Sequence, residues 1–538
     1  MAPTSHPVSD PKAALSPAHK LALTKRVLRK FDLHILPPLA LLWLANFIDR
    51  TNVGNARIAG LQSDTHLHGN QFNIALTVFY IPYILVELPS NWVLKRIKPN
   101  RWLPLLVFAW GVVTTLSGLV ENFGGLVAVR FVLGLCEGGI LPGIILYLST
   151  IYKRHELQLR CVVKCLLTKY KLSCPTLTSA ASLSGAFGGL LATAIIKMDG
   201  VGNLAGWRWI FILEGMATCL LSLLAAAVLP ADILSAKFLT EKERQFALNR
   251  FRSADRTANS APLSEPSSRI IDSEKGIEEL RAEVPGDAAK ATNEPTVYQE
   301  EERFEWREIV RGLTDVQAWF TGIAYFGLIV SLYSYSLFLP TIISDLGFSG
   351  EKAQLHTVPP YVPAVVLTVV VAVISDRYKM RGPLILLCLP LTIIGYIIAI
   401  AAKSNEIRYV AVFFMATGLY PCAPCILSII PNNTSGHYKK ATAVALQLGV
   451  ANAGGFVATF AYTSDQAPKY IRGHTISLAF VCMAWVMVAA NILYCMYENK
   501  ARAEGRRQHN IGEYQELWDS GKTRAPIGDR HPNFRFTL

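Results

Sequence analysis

The sequence predicts an all-α integral membrane protein with twelve transmembrane helices in two pseudo-symmetric halves of six. Composition is the first observation: of 538 residues, 51% are apolar and only 17% are charged, against roughly 25% charged in an ordinary globular chain. The second is where the charge lies. Residues 231–315 hold 31 of the 91 Lys, Arg, Asp and Glu side chains (13 basic, 18 acidic, net −5), which leaves 60 charges and a net of +18 for the other 453 residues. The third is that apolar stretches near the roughly 20 residues needed to cross a bilayer recur six times before that segment and six times after it.

Taken in order, the first-half stretches fall at about 34–53, 72–94, 103–118, 126–150, 179–196 and 208–230. Those of the second half fall at about 316–340, 355–375, 383–401, 409–431, 441–463 and 474–497. The 33 residues before the first stretch are polar and end in Lys25, Arg26, Arg29 and Lys30, with no small-residue cleavage site after the apolar run, so no cleaved signal peptide is expected. Lys and Arg are retained on the cytoplasmic side. With an inside N-terminus, the short inner loops (95–102, 151–160, 376–382, 432–440) carry 12 of them and the outer loops (54–71, 119–125, 197–207, 341–354, 402–408, 464–473) carry 7. The expected division is therefore a cytosolic tail at 1–33, a half at 34–230, a cytosolic linker at 231–315, a half at 316–497 and a cytosolic tail at 498–538. The sequon Asn432-Asn433-Thr434 would then face the cytosol and stay unmodified.

The linker is rich in Ser, Glu, Ala and Pro and too polar to bury a core. Its ends, near Glu241–Phe251 and Tyr298–Val310, read as amphipathic helices. A pI near 9.2 would fit nucleic acid, but the basic residues sit in short clusters between apolar segments, as membrane loops do, so no nucleic-acid partner is expected. Ten cysteines in a chain of this length make no disulfide framework, and several (Cys136, Cys219, Cys388, Cys482, Cys495) lie inside apolar runs.

Ionisable groups inside a spanning helix are costly and mark pathways or partners. The first helix holds Asp49-Arg50, followed by Asn52 and Asn55; the second holds Glu87; the fourth holds Arg130 and Glu137. Arg130 and Glu137 are two turns apart and share a face, along a small-residue stripe, Gly134 and Gly138-Gly139, that lets a neighbouring backbone approach. A buried Arg offers a planar fork to a carboxylate and a buried Glu a proton-binding group, although both pairs could also simply neutralise neighbouring helices. Glu87, in Glu87-Leu88-Pro89-Ser90-Asn91, is expected to brace the basic loop Lys95-Arg96-x-Lys98-x-x-Arg101. His66-x-His68 lacks a third ligand, so no metal is expected. Cys422-x-x-Cys425 falls within an apolar helix beside prolines, and Gly185-x-x-Gly188-Gly189 follows no strand and reads as helix packing. No Ser-His-Asp set or phosphate-cradling loop stands out, so an enzyme and a cofactor are not expected.

With two six-helix halves and the loop Asp376-Arg377-x3-Arg381-Gly382, the chain resembles the major facilitator superfamily. The first-half equivalent of that loop departs from the usual form, with Asn91 and Lys95-Arg96. Asp49-Arg50-x-Asn52-x2-Asn55-Ala56, Glu87-Leu88-Pro89-Ser90-Asn91 and Arg130-Phe131-x2-Gly134-x2-Glu137-Gly138 are similar to the anion:cation symporters, and to their fungal allantoate and nicotinate permease branch. Asn433-x2-Gly436-His437 and Asp465-x-Ala467-Pro468-x-Tyr470-x2-Gly473-His474 fit it too. The resemblance implies proton-coupled symport of a small organic anion of monocarboxylate, vitamin or ureide type by alternating access, in a monomer of the plasma membrane. It implies proton-coupling roles for Asp49 and Glu137 and anion-engaging roles for Arg50 and Arg130. Tyr333, Tyr335 and Asn452 face the substrate region by helix position, though aromatic residues there also serve packing. Gating or structural roles fall to Glu87, Asn91, Gly134, Gly138, Asp376, Arg377 and Arg381.

Export of a fungal metabolite in the same fold, or a transporter-like receptor signalling through linker and tail, are the competing functions. One segment does not fit the pattern: Cys161 to Thr178 carries Lys164, Lys169 and Lys171 where the family has the apolar start of the fifth helix. It reads either as a basic inner-loop extension or as translated intron sequence.

Overall fold

The computed structural model describes residues 17–152, 165–167, 172–174, 179–259, 305–348, 350–523, 525 and 527–538. The first half comprises α1 (Pro17–Ala56), α2 (Gln71–Arg96), α3 (Pro99–Ser117), α4 (Phe123–Glu137), α5 (Ile140–Ile151), α6 (Ser179–Ile196) and α7 (Gly206–Val228). The linker contributes α8 (Glu241–Asn259) and α9 (Trp306–Leu313). The second half comprises α10 (Val316–Asp345), α11 (Gly350–Thr357), α12 (Tyr361–Tyr378), α13 (Gly382–Ala401), α14 (Asn405–Leu419), α15 (Cys422–Asn433), α16 (His437–Ala461) and α17 (Ile471–Ala503), with α18 (His509–Asp519) beyond it. Among the described residues, eight helical segments are long and apolar enough to cross a bilayer, the first over Lys20–Asp64 and the last over Ile471–Ala503.

Several boundaries differ from the sequence pattern for local reasons. The polar stretch expected as a tail over 1–33 is helical from Pro17, continuous with the first spanning helix. The apolar run at 126–150 is two helices, because α4 ends at Glu137 and Gly138-Gly139 lie between it and α5. The linker's first helix starts at Glu241 as expected and runs eight residues past Phe251 to Asn259. It is held by a capping box: the Thr240 amide donates to Glu243 Oε2 (3.0 Å) while the Glu243 amide donates to Thr240 Oγ1 (3.4 Å). Glu243 also pairs with Lys30 (2.6 Å) and Arg26 (3.1 Å), docking the helix on α1. The second linker helix is shorter than expected and begins at Trp306. In the segment Cys161 to Thr178, Cys165–Leu167 and Leu172–Cys174 form an antiparallel pair with Cys165 opposite Cys174; its other residues lie outside the described ones.

The C-terminal residues form a strap across the end of the bundle that carries the linker. Asn433 exchanges hydrogen bonds with Thr537, accepting from its amide (2.9 Å) and hydroxyl (2.8 Å) and donating to its carbonyl (3.0 Å). Asn499 pairs in the same two-way fashion with Phe536, and the Arg381 amide donates to the Leu538 carbonyl (2.7 Å). Further in, Lys439 bridges Asp315 (2.7 Å) and Asp529.

Helix packing in the first half rests on missing side chains. An added Cβ on Gly134 would overlap the Phe79 carbonyl oxygen, and one on Gly138 the Tyr83 carbonyl oxygen, so α4 and its cap lie backbone to backbone on α2. Gly111 of α3 and Gly215 of α7 face each other in the same way. The second half is built around α10, buried over most of its length, which explains why its sequence shows an unbroken apolar run without a polar face.

Between the halves, hydrogen bonds among the described residues gather from mid-span to the end remote from the linker. Asn73 donates to the Thr459 and Tyr462 carbonyls, Thr77 and Thr459 share a hydroxyl bond of 2.6 Å, and Gln354 donates to the Asn55 carbonyl (3.4 Å). Gly54 sits against the Leu337 carbonyl oxygen of α10. The crossing bond nearest the linker end is Asn452 to Glu87, at 3.4 Å.

If the α2–α4 contact is as close as described, Gly134→Ala forces the two backbones apart and costs roughly 1–3 kcal/mol. The thermal midpoint of the purified protein is expected to fall; an unchanged midpoint would contradict the contact.

Candidate functional site

Mid-span, the first half gathers its charged residues around a small cavity of about 20 Å3 lined by Asp49, Arg50, Val53, Leu76, Phe79, Tyr80, Arg130, Leu133, Glu137 and Leu337. Four of the residues singled out from sequence meet here. Asp49 and Arg50 arrive on α1, Arg130 and Glu137 on α4, and all four side chains are buried or nearly so.

The pairing differs from the one that helical spacing favours. Glu137 does not pair with Arg130 on its own helix; its Oε2 accepts from Arg50 Nη2 at 3.1 Å, an ion pair with side-chain exposures of 0% and 12%. Two turns of helix put Arg130 and Glu137 about 10 Å apart along the axis, whereas α1 crosses beside Glu137. Arg50 Nη1 donates to Tyr333 Oη (2.6 Å) of α10, so one guanidinium ties together α1, α4 and the second half. Its planar face is enclosed by aromatic rings, with Phe79, Tyr83 and Tyr333 centroids at 5.6, 5.2 and 5.2 Å. Tyr80 stacks on Tyr333 (5.7 Å), and Gly455 of α16 leaves the room its ring needs.

Asp49 Oδ2 accepts from the indole of the fully buried Trp110 at 3.0 Å. Its other oxygen, Oδ1, and Glu137 Oε1 take no hydrogen bond among the described residues, and the two carboxyls are neighbours in the cavity wall. Arg130 faces Asp49 and Glu137 but makes no hydrogen bond with a described residue, leaving a guanidinium in the cavity wall available to an anion.

Other expected residues lie elsewhere. Glu87 accepts from Asn452 across the halves, and neither residue lines the cavity; the side chains of Lys95 and Arg96 in the basic loop lie outside the described residues. Tyr335 sits inside the second half, where its hydroxyl donates to the Val412 carbonyl (3.3 Å) and its ring meets Tyr361 and Tyr420 edge-on. Arg377 is exposed, and Arg381 Nη1 donates to the Ser428 carbonyl at 2.9 Å. The side chains of Asn91 and Asp376 lie outside the described residues. Cys422 and Cys425 are buried and form no disulfide with each other, and Cys422 donates to the Gly418 carbonyl.

Four contributors are not singled out by the sequence pattern. Phe79, Tyr80 and Tyr83 form the aromatic enclosure; their spacing on one helix was the available signal. Glu214 on α7 is buried and accepts from Asn52 Nδ2 at 2.9 Å. It stands alone in a long apolar run, the same signal that marked Glu137.

The sequence profile of the Major Facilitator Superfamily matches residues 39–491. The chain belongs to this superfamily. It is thus a secondary transporter, from a family of transporters and not of enzymes. It is 33% identical over 536 residues (99% of this chain, 94% of the relative) to an uncharacterized transporter of Schizosaccharomyces pombe. It is 29% identical over 525 residues (97% and 86%) to the high-affinity nicotinic acid transporter of Saccharomyces cerevisiae. Among solved structures, a bacterial homologue of the human lysosomal transporter Spinster, inward-facing and unoccupied, superposes with TM-score 0.57 at 15% identity, covering 86% of this chain and 96% of that one. A D-xylose–proton symporter superposes with TM-score 0.56 at 14% identity, covering 86% and 97%. Those two likenesses are of fold.

Because Arg50 and Glu137 are mutually compensated in a dry setting, removing either one alone is expected to cost about 3–5 kcal/mol. In Arg50→Met the thermal midpoint should drop, and adding Glu137→Gln should recover part of the loss. Strictly additive losses in that double-mutant cycle would contradict the pair.

Proposed function

We propose that this transporter couples proton entry to uptake of a small organic anion of monocarboxylate, vitamin or ureide type. The observation that carries the reading is the buried Arg50–Glu137 ion pair beside a second guanidinium, Arg130, that has no hydrogen bond among the described residues. With Glu137 ionised, Arg50 is satisfied by its carboxylate and by Tyr333. A proton on the Asp49–Glu137 pair removes that negative partner and leaves the two guanidiniums with excess positive charge in a low-dielectric cavity. A carboxylate then fits, because a guanidinium fork presents two parallel N–H donors. Proton and anion each favour binding of the other, which is a coupling free energy and is reciprocal.

Tyr333, already bonded to Arg50, reports occupancy to the second half, and the halves rock about the site. The Glu87–Asn452 bond, nearest the linker end among the described crossing bonds, acts in this account as a gate contact. The excess of Lys and Arg in the short loops of the linker end supports a cytosolic linker and cytosolic tails, and the plasma membrane is the proposed site. Similarity to the nicotinic acid transporter supports nicotinate as the first anion to try.

In proteoliposomes, Glu137→Gln is expected to abolish accumulation of labelled substrate driven by a pH gradient while leaving part of the substrate exchange, since exchange needs no proton release. A variant that concentrates substrate at the wild-type rate would sink the assignment of Glu137.

A further inference from the structure

The buried cluster holds one more acid than base. Asp49, Glu137 and Glu214 are exposed by 1%, 1% and 6%, and only Arg50 and Arg130 are available to balance them. If every group of this cluster were ionised, the cluster would carry a net −1 in mid-membrane, where an uncompensated charge costs several kcal/mol and a buried group neutralises instead; Glu87, bonded across the halves to Asn452, lies outside it.

The geometry shows which carboxyl is left over. Glu137 has Arg50 at 3.1 Å. Asp49 has the Trp110 indole and the charge of Arg130 nearby. Glu214 touches no cation: its one hydrogen bond is from a neutral amide, Asn52 Nδ2, and its Oε1 is buried without a partner. Asn52 in turn accepts from Asn55 (3.2 Å), so both amides are already committed. The helices packed against α7 supply no other charge at this level. From α1 come Asp49 and Asn52; α3 presents Trp110, Gly111 and Thr115; α6 has no ionisable residue; Arg208, two turns away on α7 itself, donates to the Gly118 carbonyl. Arg130 and Glu137 act on Glu214 from α4. Nor can Glu214 withdraw, because Gly215 beside it holds α7 against the α3 backbone.

We propose that Glu214 is a proton-binding site of the transport cluster, additional to Asp49 and Glu137, and that it holds a resident proton in the state described. With Glu214 neutral, the two guanidiniums balance Asp49 and Glu137. One further proton on that pair leaves a net +1, which a monoanion cancels. The resident proton thereby sets the coupling at one proton per monoanion; without it, two would be needed to reach the same charge. The proton comes from water and sits on a carboxyl oxygen, so no other reactant is involved.

This inference deepens the proton-coupling reading but is tested without any transport substrate. Infrared difference spectra of the reconstituted full-length protein, titrated with acid and base, report the C=O stretch of protonated carboxyls. A band persisting at neutral pH is expected in the wild type, weakened by one carboxyl's intensity in Glu214→Gln, and still containing that component in Glu137→Gln. Gln keeps the acceptor that Asn52 needs. If that variant does not fold, Asn52→Ala serves, since losing the amide donor should shift the band's frequency and leave its intensity. A band of wild-type intensity in Glu214→Gln, one lost only in Glu137→Gln, or one unmoved in Asn52→Ala would overturn the proposal. Glu137→Gln transport assays fail or succeed independently of this spectrum, so the two readings are separable.

Discussion

The ion pair between Arg50 and Glu137 organises the whole of the first half. Placing a guanidinium and a carboxylate in the apolar centre of a bundle is unfavourable unless each satisfies the other and their remaining valences are met. Arg50 meets most of them with Glu137, with the Tyr333 hydroxyl, and with three aromatic faces, leaving its Nε without a hydrogen bond among the described residues. That arrangement requires α2 to lie close enough for Phe79 and Tyr83 to reach, which the glycines at 134 and 138 permit. It also requires α10 to approach α1, which Gly54 permits. The packing of small residues and the placement of charge are therefore one constraint, since a side chain at any of these glycines would separate the groups that neutralise each other.

The same contact joins the site to the relation between halves. Tyr333 is the only second-half residue among those described that hydrogen-bonds to the charged pair, and it does so at the level where the crossing contacts of the remote end give way to those near the linker. From Asn73 and Thr77 to Glu87, α2 is fastened to α16. A change of charge at Glu137 alters what Arg50 asks of Tyr333 and so bears directly on this seam, without a long chain of intermediates.

Much of this was legible in the chain. Twelve apolar runs, the charged linker and the intramembrane Asp49, Arg50, Arg130 and Glu137 are one-dimensional signals, because a bilayer penalises charge whatever the fold. What spacing could not decide was partner choice. Arg130 and Glu137 share a helix face, but the partner of Glu137 comes from α1, and crossing geometry is set by glycine contacts that no single helix reveals. Tyr335 is two residues from Tyr333 and points into the second half, since neighbouring positions on a fully buried helix face different partners. The strap formed by Phe536 to Leu538 was read only as a polar tail, because its bonds run to loop residues, Asn433 and Arg381, distant in sequence. Glu214 was overlooked although its isolation in an apolar run was visible.

The central claim is that an anion can enter only as the Asp49–Glu137 pair takes up a proton. Proton uptake on anion binding tests it most directly: purified protein in weakly buffered detergent solution is titrated with a monocarboxylate that it binds, nicotinate being tried first, while a pH dye counts protons. The account predicts about one proton taken up per anion bound, with affinity weakening as pH rises, as linkage requires. Saturable anion binding with no proton uptake and no dependence on pH would contradict it.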